Sequence, residues 1–121
     1  MTTAFFSHDD CMKHDMGPEH PESPGRLAAI ISYIADTGIA EKLDWVRPEE
    51  ITRDQLLSVH PERYLQQLDM MQPTRGRVFT DPDTAMMPDT LRAAKLAAGA
   101  NIQAVDMVMS SQITNAFICA R

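Results

Sequence analysis

The chain has little that would tie it to a special environment. Its two cysteines, Cys11 and Cys119, lie far apart in 121 residues. Two are too few for a disulfide scaffold and suit a reducing cytoplasm. No apolar run approaches the length of a membrane span, and Met1-Thr2-Thr3-Ala4-Phe5-Phe6 has neither a basic n-region nor a long apolar h-region. The expectation is a cytoplasmic protein with no membrane partner. Positive charge is also short: 11 Lys and Arg face 17 Asp and Glu, a net charge of -6. That balance argues against generic nucleic-acid binding, which leaves a basic footprint. A Gly-rich phosphate loop, an internal repeat, a low-complexity tract and an interdomain linker are all missing. What remains is a single domain, 1–121, near the small end of the range that supports one core.

The hydrophobic pattern then gives a run of elements. Ala4 to Ser7 reads as a first strand, followed by a polar loop from His8 to Ser23. Ser23 can N-cap a helix with Pro24 at N1, and Leu27, Ile30, Ile31 and Ile34 make its apolar stripe. Gly38 suits the C′ position, so this helix should span Pro24 to about Thr37. Leu43 to Val46 is a second strand, with Pro48 ending or edging it. Thr52-Arg53-Asp54-Gln55 is a capping box before Leu56 and Leu57. A helix with Pro61 at N1 should run to about Met70, a loop from Gln72 to Met87, and the longest helix from Pro88 to about Met109. Within it Ala97-Ala98-Gly99-Ala100 is small enough for another backbone to come close. Asn115 to Arg121 reads as a buried strand reaching the final residue. Strands alternating with helices predict an α/β layer: a short parallel sheet of three strands flanked by four helices.

Chemistry-bearing residues crowd the first loop. Cys11-x-x-His14 followed by His20 offers donor types that zinc accepts, but no second half completes a four-ligand site, and the same side chains also suit the bonding of loop turns. The carboxylates Asp9, Asp10, Glu19 and Glu22 have no histidine or serine partner placed by a rigid element. His60 precedes Pro61 at a helix start and suits a cap, and Cys119 in its apolar strand suits core packing. These residues support no catalytic assignment by themselves.

Their order along the chain carries a resemblance. Asp10-Cys11-x-x-His14, then Gly17-Pro18-Glu19-His20-Pro21-Glu22-x-Pro24-x-Arg26-Leu27, is followed by Val59-His60 with Tyr64. Next come Asp81-Pro82-Asp83-Thr84 with Pro88 and Leu91, then Ala93-Ala94 through Ala98-Gly99-Ala100 to Asp106, and finally Asn115-Ala116-Phe117. The series resembles the start of the zinc-dependent histone deacetylase family, in its bacterial and class II branch with the acetylpolyamine amidohydrolases and acetoin-utilisation proteins. Gly25 departs from it, standing where relatives usually have a glutamate or another longer residue.

The resemblance implies a partial arginase/deacetylase-like fold, with this chain as the N-terminal part of the domain. It implies that His14, His20 and Pro21 belong to one wall of the substrate tunnel. It also implies that Asp83 is the rim carboxylate that grips substrate backbone amides, while Asp81-Pro82-Asp83-Thr84 also suits a turn or cap before a helix. Arg26 would lie near the internal cavity, where a guanidinium can bind acetate; an arginine in the first turn of a helix equally suits bonding to nearby loop carbonyls. In the family, zinc held by two aspartates and a histidine works with a histidine pair on N-acetyl amides such as acetyl-lysine or acetylpolyamine. Those residues follow the strand with which this chain ends, and the chain has no Asp-x-His motif and no His-His pair. The resemblance therefore implies no catalytic residue, no metal ligand and no cofactor in this chain, and no activity by the chain alone. The expected partner is a complementary deacetylase segment or a second copy. The alternative is a self-standing interaction module that homo-oligomerises through its bare sheet edge.

Overall fold

The computed structural model describes residues 2–121. Its main sheet has three strands, β1 (Thr3–Ser7), β2 (Leu43–Val46) and β5 (Asn115–Cys119), in the order β2-β1-β5. Both pairings are parallel, as the alternation of strands and helices predicts. The central strand is the most apolar: Ala4, Phe5 and Phe6 are all buried. Because side chains alternate along a strand, Phe5 points to one face and Ala4 and Phe6 to the other.

A helix covers each face. The stripe on α1 (Pro24–Asp36) packs Leu27, Ile30, Ile31 and Ile34 around Phe5, Cys11 and Cys119. On the opposite face α4 (Thr90–Met109) sets Ala100, Ala104 and Met107 against Ala4, Phe6, Val46, Ala116 and Ile118. Phe5 is in register with Trp45 and Phe117, giving an aromatic row across all three strands with ring centroids 4.6 and 5.6 Å apart. Burying Phe5 and Phe6 contributes about 2–3 kcal/mol each.

Between β2 and α4 lie α2 (Arg53–Leu57), α3 (Glu62–Met71) and a hairpin of β3 (Val78–Asp81) and β4 (Thr84–Met86). The capping box forms in both directions: the Thr52 hydroxyl accepts the Gln55 N–H at 3.2 Å, and the Gln55 carboxamide oxygen accepts the Thr52 N–H at 2.9 Å. Gly38 has the left-handed φ of 71° expected just past α1.

Several boundaries differ from the sequence expectation. Ser23 has the extended N-cap backbone but makes no side-chain capping bond. Pro61 is itself the N-cap of α3, so the helix starts at Glu62. Pro88 lies outside α4, whose N-cap is Asp89. The segment expected as a loop before it contains the β3–β4 hairpin, whose β3 residues are all exposed and carry no buried-face alternation to betray a strand. The first loop opens with a 3-10 turn over Asp9–Lys13. The terminal strand stops at Cys119, not Arg121, and only Cys119 of it is buried, because β5 is an edge of the sheet; beyond it the Arg121 side chain bonds that loop.

Gly99 is where the small-residue patch on α4 matters. The segment after β2 crosses the helix there: Ile51 donates its N–H to the Lys95 carbonyl at 3.0 Å, and Glu49 donates its N–H to the Gln103 side chain at 2.9 Å. A methyl on Gly99 would overlap the Glu49 carbonyl oxygen and lie 2.8 Å from the Ile51 nitrogen. Gly99→Ala should therefore destabilise the fold by about 3 kcal/mol, the upper end for overpacking. At Gly25 a methyl meets only the Ser23 hydroxyl at 3.6 Å, so Gly25→Ala should be neutral or stabilising by up to about 1 kcal/mol. Urea midpoints of the two variants check the contrast.

Candidate functional site

The strand order locates the site. The chain steps from β1 to β2 on one side, then returns to place β5 on the other side of β1. In open parallel sheets, ligands bind at such a switch point, outside the carboxyl ends of the strands that flank it. Here that crevice is bordered by the loop His8–Ser23, which leaves β1, and by Ala120–Arg121, which leave β5.

The loop is pinned from several sides. His8 is buried, and its Nδ1 accepts the Asp10 N–H at 3.0 Å. Asp10 receives Lys13 at 2.7 Å and the Arg92 guanidinium, which also reaches Glu50. Hydrogen bonds from Lys13 and Arg92 hold the Asp10 carboxyl well below the usual carboxylate range. His14 Nδ1 lies 2.8 Å from the Thr90 hydroxyl, which accepts the Met87 N–H at the start of α4.

Arg121 is the buried centre of this arrangement, its side chain 1% exposed. Its Nε donates to Glu22 Oε1 at 3.0 Å and its Nη1 donates to the His14 carbonyl, while its Nη2 is buried with no partner. Arg26 approaches the same Glu22 oxygen at 3.6 Å and donates from Nη2 to the Ala120 carbonyl at 3.1 Å. Two guanidiniums thus share one carboxylate at the end of β5. Burial raises the proton affinity of Glu22, but the Arg121 hydrogen bond and the two arginine charges outweigh it and hold Glu22 below its ordinary value. Burial, reinforced by Arg121, pushes His14 down and favours the neutral ring.

The other expected residues sit higher on the same wall. His20 accepts the Glu22 N–H on Nδ1 at 3.0 Å and meets Asp83 Oδ1 through Nε2 at 3.1 Å. Pro21 is exposed beside it. Asp83 occupies the β3–β4 turn, where its own N–H bonds the Asp81 carboxylate at 2.8 Å. The fold therefore joins His14 to Arg26 through Glu22 and Arg121, and His20 to Asp83 across the hairpin.

Burial pushes both thiols, Cys11 and Cys119, above their ordinary value, which leaves them packing groups. Among the described residues no three His, Cys, Asp or Glu side chains are grouped to hold a metal ion, so Cys11, His14 and His20 do not form a zinc site. Arg121 was missed by sequence reasoning, which placed it in the strand. The signal available was a lone charge directly after an apolar strand, with Glu22 in the facing loop.

A profile described as the histone deacetylase domain matches residues 20–121. The chain belongs to the histone deacetylase family. A probable deacetylase of Archaeoglobus fulgidus is 32% identical over 123 residues, covering 100% of this chain and 34% of the relative. A histone deacetylase-like amidohydrolase of Pseudomonas aeruginosa is 26% identical, covering 98% of this chain and 36% of the relative. The crystal structure of the HDA15 HD domain superposes with a TM-score of 0.90 at 25% identity, covering 100% of this chain and 35% of that one. The deacetylase-family chain thus spans about a third of these relatives. No helix among its described residues is long and apolar enough to cross a membrane.

The His14 and Glu22 shifts predict acid sensitivity. A group whose folded proton affinity is lowered stabilises the fold above its ordinary value, and that stabilisation is lost as pH falls through its folded value. Stability should decline below about pH 6.5 as His14 contributes, and further below about pH 4.5 as Glu22 does. Glu22→Gln should remove the share of Glu22 from the lower part of the decline, leaving that of Asp10, Glu62 and Asp81, and urea midpoints from neutral to acid pH check it. At neutral pH Glu22→Ala should cost about 1–2 kcal/mol. The 44% exposure of Glu22 screens the pair and keeps the loss below that of a fully buried one.

Proposed function

We propose that this chain is the N-terminal part of a zinc-dependent amidohydrolase domain of the histone deacetylase family, acting on N-acetyl amides such as acetyl-lysine or acetylpolyamine. The superposition of the whole chain on about a third of the HDA15 HD domain carries the reading. The names of the amidohydrolase from P. aeruginosa and of the mouse polyamine deacetylase HDAC10, which is 27% identical over 130 residues, agree with that substrate class. In this reading the chain supplies the β2-β1-β5 part of the sheet and one wall of the tunnel. His14, His20 and Pro21 face the substrate channel, Asp83 accepts substrate amide N–H groups at the rim, and Arg26 lies beneath the floor. Residues beyond this chain supply the metal site, since no group of His, Cys, Asp and Glu among its described residues fits one. Free Cys11 and Cys119 agree with placement in the cytoplasm.

By itself the chain should not turn over substrate. A purified 121-residue protein, given zinc and either an acetyl-lysine peptide or an N-acetylpolyamine, should release acetate no faster than buffer. Zinc-dependent turnover by the chain alone would refute this assignment.

The edge of β5 favours a second element of the proposal. β2 is a protected edge, with Asp44 inside it and Arg47 and Pro48 directly after it. The β5 segment, Asn115-Ala116-Phe117-Ile118-Cys119, has no charge and no proline. Phe117 is 50% exposed on one side of it. On the other lies an apolar groove of about 430 Å³ that includes Ala104, Val105, Val108, Met109, Ala116 and Ile118. Such an edge suits a further strand, from a complementary deacetylase segment or a second copy. Light scattering on the isolated chain should give about twice its 13.5 kDa mass. The Asn115 N–H points at β1, so by alternation Ala116 points its N–H at the open edge, and Ala116→Pro should return the chain to the monomer. A monomer before the substitution would exclude the second copy.

A further inference from the structure

We propose that His20 is a positioning residue for the Asp83 carboxylate. This rests on the reading of Asp83 as the group that accepts substrate amides at the rim, and adds how that group is aimed. Asp83 sits on an exposed hairpin turn with its side chain 90% exposed. A carboxylate so placed would ordinarily sample several rotamers and lose entropy on gripping a ligand. His20 removes that freedom. Its side chain is only 23% exposed, and Nδ1 accepts the Glu22 N–H at 3.0 Å. A ring nitrogen that accepts a backbone N–H carries no proton, so the neutral imidazole bears its hydrogen on Nε2. That atom lies 3.1 Å from Asp83 Oδ1.

The bond ends a chain of contacts that starts in the sheet. Buried Arg121, next to the end of β5, holds the Glu22 side chain at 3.0 Å; the Glu22 backbone sets the His20 ring; and the ring holds Asp83, 63 residues away in sequence. A second tie fixes the other end of the hairpin, where Arg77 Nε donates to the Asp15 carbonyl at 3.1 Å. One carboxylate oxygen is thus occupied by His20, and Oδ2 is the one offered to a peptide N–H. The geometry is that of a histidine that orients a ligating carboxylate, with the metal replaced by a substrate amide.

The test is an NMR titration of the ¹⁵N-labelled 121-residue chain with a short peptide amide containing N-acetyl-lysine. The wild-type chain should show saturable shifts at the amides of Asp83 and Thr84, and Asp83→Ala should abolish them. His20→Ala should weaken binding about fivefold, the loss expected when one side chain must be immobilised on binding. His20→Gln should recover most of it, because a carboxamide N–H can also donate to Asp83. Long-range ¹H–¹⁵N spectra of the wild-type imidazole should find the proton on Nε2, a readout that needs no variant to fold. Wild-type affinity in His20→Ala, together with loss in Asp83→Ala, would overturn the positioning role and leave the Asp83 reading standing. A peptide that does not bind the wild-type chain, or binds Asp83→Ala equally well, would overturn the Asp83 reading and this proposal with it. A proton on Nδ1 would overturn the positioning role alone.

Discussion

The burial of β1 between two parallel neighbours constrains everything else in this chain. A strand reading Ala4-Phe5-Phe6 has apolar groups on both faces, so each face needs a helix and each edge needs a strand. Parallel neighbours cannot be reached by a hairpin, and the connections must cross over the sheet. The stripe on α1 and the small residues of α4 answer the two faces. The same requirement forces β2 and β5 to opposite sides of β1, and so creates the switch point at their carboxyl ends. The place of the site is a consequence of how the central strand is covered.

At that place the electrostatics are tightly interlocked. Arg121 is buried and offers its Nε and Nη1 to Glu22 and the His14 carbonyl, and Arg26 leans on the same carboxylate. Removing Glu22 would leave the buried Arg121 guanidinium with only the His14 carbonyl, which costs more than losing a fully exposed ion pair. The arrangement ties the long first loop to the end of β5, so a loop rich in Gly, Pro and polar residues is held as a wall. On the opposite side of the loop, Asp10 with Lys13 and Arg92 ties it to α4. Order in the loop thus comes from ionic anchors at both ends and from the Thr90 contact of His14 between them.

How much could be read in advance varied with the kind of signal. The capping box at Thr52, the stripe on α1 and the C′ role of Gly38 are local, and each formed as expected. Pro61 and Pro88 were placed one or more residues too far inside their helices, because proline suits the N-cap and the residue before it as well as N1. The β3–β4 hairpin escaped notice because its first strand is wholly exposed, and a strand without a buried face has no period-two pattern. Motif order singled out Asp83, His14, His20 and Arg26, and the structure sets His14 and Arg26 around Glu22 and Arg121 and His20 against Asp83, whereas Arg121 had no such signal. Its role depends on a loop carboxylate 99 residues earlier, and no local pattern encodes that distance.

The sequence by itself determined the class of the fold, the family, and the elements whose stability is local: caps, stripes and the apolar central strand. Those features depend on neighbours within a turn or two of chain, where spacing and residue type are enough. Only the tertiary structure decided that Glu22 serves Arg121 and Arg26 at once, that Gly99 must lack a side chain because Glu49 and Ile51 cross it, and that His20 meets Asp83. Each of these joins segments far apart along the chain, and such contacts exist only once the sheet has brought its crossovers together.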